Sequence, residues 1–141
     1  MNIKTEIKRI SKLLNIKEPT IIFNDSLGFS YLDGIIYLKR ITNRYKLLFL
    51  SIHELRHYYQ DIYIKNNNDF ISEKWKYEMD NYKMIDYLSY EIEIDAYSFS
   101  YLVLKNIYNI DYNLPVEIKN KVLDYISKNK YLYLLVLNIK V

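Results

Sequence analysis

The chain contains no cysteine. Disulfides, Cys-ligated zinc and iron–sulfur clusters are excluded, and any metal must be held by His, Asp or Glu. Glycine, proline and histidine occur only twice each in 141 residues. An excess of one charge is also missing. Lys and Arg number 20 against 17 Asp and Glu, and a net charge of +3 spread along the chain does not imply nucleic-acid binding. No apolar run approaches the length of a membrane span. The opening stretch, Met1-Asn2-Ile3-Lys4-Thr5-Glu6, carries charge throughout and lacks the apolar core of a signal peptide, so the cytoplasm is the expected compartment. Half of the residues are hydrophobic, enough for one domain of this length to bury a core of its own.

What the chain has in abundance is tyrosine, with 17 residues. They accompany Ile, Lys and Asn, the bias of an AT-rich genome, and do not interleave with basic residues in one patch. Packing is the better reading than stacking on single-stranded nucleic acid.

Ile3, Ile7, Ile10, Leu13 and Leu14 recur at three- and four-residue spacing and predict an amphipathic helix over 2–15, ended before Pro19. Thr20–Phe23 reads as a strand. Gly28–Leu32 and Ile35–Lys39 flank Asp33-Gly34, a pair that tolerates positive φ and signals a hairpin. Three short antiparallel strands are expected. Thr42 or Asn43 would cap a helix reaching about Lys65, with Leu48, Ile52, Leu55 and Tyr59 as its apolar stripe; Arg56 and Gln60 fall away from that stripe, and Arg56 reads as a solvated residue in preference to a substrate-contacting one. After the loop 66–69, Ser72 would cap a helix bearing Trp75, Met79 and Tyr82, with Glu73 and Glu78 as surface charges. A helix follows over about 89–108, and another opens at Pro115 and runs to about Lys128. The apolar tail, 131–137, is too short to span a bilayer and is expected to pack on the core. The fold class is α+β, mostly helical with a small sheet beside the central helix.

Both histidines fall in His53-Glu54-Leu55-Arg56-His57. On a helix, residues four apart share one face, so His53 and His57 can offer imidazole nitrogens to one ion. Glu54 lies about 100° round from His53 and about 60° from His57, at roughly 3.6 residues per turn. It can lean towards a metal without ligating it, where it would take a proton from metal-activated water. Such sites keep three protein ligands and one open position. With no third histidine, the third ligand should be a carboxylate, and Glu91, Glu93 and Asp95 are the candidates. Glu91 and Glu93 lie about 200° apart on a helix and cannot both face one ion. Glu93 shares its face with Ala96, Tyr97, Ser100 and Leu104, small near the acid and apolar beyond, and is preferred. Glu91 shares a more polar face with Asp95, and a ligand Glu followed four residues later by an acid that orients a ligand His is a known arrangement. Glu91 and Asp95 therefore stay open as an alternative ligand and an orienting acid. Zinc is the implied ion.

His-Glu-Leu-Arg-His followed by Glu93-Ile94-Asp95-Ala96-Tyr97-Ser98-Phe99-Ser100 resembles the ImmA/IrrE-type metallopeptidases, frequent in phages and integrative elements of low-GC bacteria. The resemblance spans roughly residues 1–108 in order of elements and is specific at the two motifs. It implies a zincin-like fold, Zn2+ held by His53, His57 and Glu93, and Glu54 as general base. It also implies a narrow-range endopeptidase whose substrate is a protein, often a transcriptional repressor encoded nearby. Arg56 and Tyr58-Tyr59-Gln60 depart from the Gly and apolar residues common in that motif. No helix-turn-helix domain is present, so a DNA-linked role would act through a partner. The competing reading is a non-catalytic, zinc-stabilised interaction module.

Overall fold

The computed structural model describes residues 1–138. Its helices are α1 (Ile3–Leu13), α2 (Arg44–Asn66), α3 (Phe70–Asp80), α4 (Glu91–Ile107), α5 (Val116–Lys128) and α6 (Leu134–Leu137). Its strands are β1 (Thr20–Phe23), β2 (Ser30–Leu32) and β3 (Ile35–Leu38), and 3-10 turns occupy Met84–Ser89 and Lys130–Tyr133. The result is a mostly helical α+β fold with one three-stranded sheet. Among the described residues, no helix is long and apolar enough to cross a membrane.

The sheet corrects one expectation. It is mixed, in the order β1-β3-β2, with β3 antiparallel to β2 and parallel to β1. The hairpin forms as its turn demands: Asp33 and Gly34 take φ of 48° and 83°. The difference lies in which strand takes the centre. Ile36 and Leu38 of β3 are fully buried, more than any residue of the other two strands. Placing β3 between its neighbours covers both its edges, and β1 then docks on the side away from the hairpin. Ile21 pairs with Ile36 and Phe23 with Leu38, so the inward row is apolar across the parallel pair. β2 is left as an edge.

Helix α2 is the centre of the molecule. Asn43 caps it, its side-chain oxygen accepting from the Lys46 amide at 3.1 Å. Residues 51–56 are all buried, six in succession, so the helix is enclosed on every side at this turn rather than along one stripe. Arg56 and Gln60 are therefore not solvated: they are 1% and 0% exposed. Helix α1 covers α2 with Ile3, Ile7 and Ile10. Helix α4 lies against it with Ala96 and Ser100, both fully buried, and the Ser100 hydroxyl donates to the Phe49 carbonyl at 2.5 Å. In the tail, Tyr133 and Val136 join the core while Leu134 and Leu135 face outward.

Two caps also differ from expectation. Helix α3 is capped by Asp69, not Ser72. Asp69 accepts from the Ser72 amide at 2.8 Å, and the Ser72 hydroxyl meets the Asp69 amide at 2.9 Å, a reciprocal capping box. Glu78 is not a surface charge. It is 8% exposed, and its two carboxylate oxygens accept from the amides of Glu91 and Ile92 at 3.0 and 2.9 Å. Tyr90, at the N-cap of α4, supplies no side-chain cap, so Glu78 from α3 satisfies the free amides and meets the positive end of the helix dipole. Burial raises its pKa, and the two amides pull the other way.

Glu78→Ala should lower stability by about 1–2 kcal/mol, several degrees in melting temperature. Glu73→Ala, at an exposed position on the same helix, should leave it unchanged; equal melting temperatures for the two variants would contradict the capping role.

Candidate metal centre

The four-residue spacing in α2 stacks the two imidazoles on one side of the helix, and the first turn of α4 brings Glu93 to them. His53 Nε2 lies 3.1 Å from Glu93 Oε1, His57 Nε2 lies 2.7 Å from the same oxygen, and the two Nε2 atoms are 3.2 Å apart. His53 and Glu93 are buried and His57 nearly so. Four ligands tetrahedrally placed around zinc at bond lengths near 2.0–2.1 Å would be about 3.3 Å from one another. The observed triangle is close to that, its shortest edge drawn in by a hydrogen bond. Two imidazole nitrogens and one carboxylate oxygen suit a borderline ion such as zinc. The residues fit a metal ion, and His53, His57 and Glu93 would hold it.

Burial disfavours a charged His57, but its hydrogen bond to Glu93 and the charges of Glu54 and Glu93 outweigh that and push its pKa up to about 9. Burial likewise acts to raise the pKa of Glu93, yet the hydrogen bonds from His53 and His57 hold it well below the usual carboxylate range. The second oxygen of Glu93 accepts from the Tyr82 hydroxyl at 2.8 Å. Burial first, then this hydrogen bond, raises the pKa of Tyr82 and keeps it a donor. The His53 ring packs against Tyr97, centroids 4.4 Å apart, and its Nδ1 is buried without a partner among the described residues.

The three acids of α4 separate cleanly. Glu93 joins the histidines, and Glu91 does not: its carboxylate pairs with Lys74 of α3 at 2.6 Å on the surface. Asp95 is fully buried. It accepts from Arg56 Nε at 2.8 Å, Arg56 Nη2 at 3.1 Å, Gln60 Nε2 at 2.7 Å and the Tyr133 hydroxyl at 2.7 Å. The face of α4 that reads as polar is thus covered too. Asp95, Ser98 and Leu102 are all buried, because α5 and the C-terminal turn pack over them. Glu54, 8% exposed, lines the same cavity as the triad and has no ion-pair partner among the described residues. That cavity, about 860 Å³, is walled by β2 on one side and by Met79, Tyr82, Met84 and Tyr87 on the other.

Sequence reasoning missed Gln60, Tyr82 and Arg56 as parts of this centre. For Gln60 a signal existed, since it stands three residues after His57, at helical contact distance. For Tyr82 there was none, because nothing local distinguishes one of seventeen tyrosines. No known protein family, curated protein or solved structure matches this chain.

The purified chain should bind one zinc ion, with Glu93→Ala losing it and Glu91→Ala retaining it by elemental mass spectrometry. Zinc must also displace a proton from His57. Since that imidazole is charged below about pH 9, uptake should weaken progressively as pH falls from that value and should release about one proton at pH 7. Calorimetric titration in buffers of different ionisation enthalpy measures this, and release near zero would contradict the raised His57 value.

Proposed function

We propose that this chain is a zinc-dependent endopeptidase of the ImmA/IrrE type, with a zincin-like arrangement, acting on a specific protein. The observation that carries the reading is the placement of Glu54. It sits one residue after a ligand, faces the same cavity as the ligand triad, and is left out of the triad's hydrogen bonds. A metal site built only for stability has no use for such a group, whereas hydrolysis needs a base at that place.

A zinc ion on His53, His57 and Glu93 would supply a water of pKa near 7 and polarise a substrate carbonyl. The protein's own residues do the rest. Glu54 accepts the proton of the attacking water and returns it to the leaving amine. Tyr82 donates to Glu93 Oε2, leaving Oε1 towards the histidines, and so orients the carboxylate. The edge of β2 borders the cavity through residues 30–32, and an extended peptide can add there as a further strand. Met, Tyr and Leu side chains line the open cavity and leave room for peptide side chains. A transcriptional repressor encoded nearby is the partner that the motif resemblance suggests.

Zinc-loaded wild type and Glu54→Gln, incubated with a proteome-derived peptide library and with repressors encoded beside the gene, provide the test. Glu54→Gln should bind zinc like wild type while cleavage falls by about 10²–10⁴-fold. Equal cleavage by the two would remove Glu54 from the general-base role. No cleavage by wild type, together with no affinity for acetohydroxamate, would turn the reading to a zinc-stabilised interaction module.

A further inference from the structure

The Gln60 side chain has only one possible orientation. Its amide nitrogen is 2.8 Å from the Ile92 carbonyl oxygen and 2.7 Å from Asp95 Oδ2. Both neighbours are acceptors: one is a carbonyl, and the other already takes the Arg56 guanidinium at 2.8 Å. The end of Gln60 facing them must be its NH2 group, which leaves the oxygen 2.9 Å from His57 Nδ1. An amide oxygen can only accept, so Nδ1 must carry hydrogen. The nitrogen left to face an ion is Nε2, the one that points at Glu93 and at His53 Nε2.

Asp95 can hold Gln60 this way because it is itself held. Its Oδ2 also takes Arg56 Nε, and its Oδ1 takes Arg56 Nη2 and the Tyr133 hydroxyl. Arg56 is clamped in turn by aromatic faces, 4.4 Å from the ring centroid of Tyr59 and 4.6 Å from that of Phe99. Gln60 and Asp95 are fully buried, and Arg56 and Tyr133 are each 1% exposed. His53 has no such support, since its Nδ1 lacks a partner among the described residues. His57 is the anchored ligand of the pair.

We infer that Gln60 and Asp95 are positioning residues of the metal centre, and that Tyr133 from the C-terminal turn completes a chain, Tyr133–Asp95–Gln60, that decides which nitrogen of His57 faces the ion. The consequence reaches beyond the motif-bearing part of the molecule. The segment after α5 packs behind the site, and its one buried tyrosine is wired to a ligand through two side chains. This inference rests on the metal-centre reading and not on peptidase activity.

Zinc affinity, together with the NMR signal of the His57 Nδ1 proton in the zinc-loaded protein, tests it. Wild type should show a slowly exchanging Nδ1 proton. Gln60→Met, of similar size but with no acceptor of comparable strength, should lose that signal and bind zinc about 10–100-fold more weakly. Tyr133→Phe, which deletes only a hydroxyl, should give a smaller loss of affinity in a folded protein. Gln60→Met that keeps both the signal and wild-type affinity overturns the positioning role. If Gln60→Met does not fold, Tyr133→Phe decides, and unchanged affinity and proton exchange in it overturn the chain. A wild type that takes up no zinc defeats the metal-centre reading itself, an outcome distinct from either.

Discussion

The close approach of α2 and α4 is the constraint on which the rest of the structure depends. Small residues permit it: Ala96 adds almost no bulk, and Ser100 hands its hydroxyl to the Phe49 carbonyl instead of demanding a solvent partner. Between the same two helices lies the buried Arg56–Asp95 ion pair. A buried pair costs several kcal/mol in desolvation for each ion, and holds only if geometry and additional hydrogen bonds are good. Here Gln60 and Tyr133 supply the additional bonds, and aromatic rings close over the guanidinium. Stability alone is a weak reason to keep such a pair. The pair ties α2 to α4 two residues from Glu93, which lies beside His53 and His57.

The site is built unevenly. Its floor is largely buried, with His53 and His57 on the enclosed middle of α2 and Glu93 in the first turn of α4. One wall is different. In the 3-10 turn at Met84–Ser89 no residue is buried, Asp86 breaks the helical geometry, and Met84 and Ile85 are 77% and 88% exposed. A buried floor under a lightly packed wall accords with the peptidase reading proposed above, which needs held groups and an open approach. Tyr82 stands where the two meet, donating from the wall to a residue of the floor.

Local patterns could find the central helix, the hairpin and the histidine pair, because each is encoded by residues within one turn or one loop of one another. They misjudged Arg56 and Glu78, and left Gln60 unplaced, for a common reason. A polar residue opposite an apolar stripe points to solvent unless a distant segment supplies a partner, and here the partner is 39 residues away for Arg56 and 35 for Gln60. Glu78 meets α4 across a 3-10 turn that has no strong sequence signature. The sheet was misjudged in the same way. Hairpin chemistry dictates the β2–β3 pairing, but which edge β1 joins is decided by which strand buries best.

Helical spacing by itself determined that His53 and His57 share a face, and the absence of cysteine and of further histidine determined that a carboxylate must complete any metal site. The 200° separation of Glu91 and Glu93 determined that only one of them could do so. The tertiary structure alone decided that Glu93 arrives at 2.7 Å from His57 while Glu91 pairs with Lys74, that Asp95 is linked to His57 through Gln60, and that a tyrosine near the C-terminus reaches the same network. The physical reason is the range of the forces involved. Periodicity and side-chain chemistry act within a turn, whereas the partner of a buried polar group is chosen by whichever remote segment closes over it.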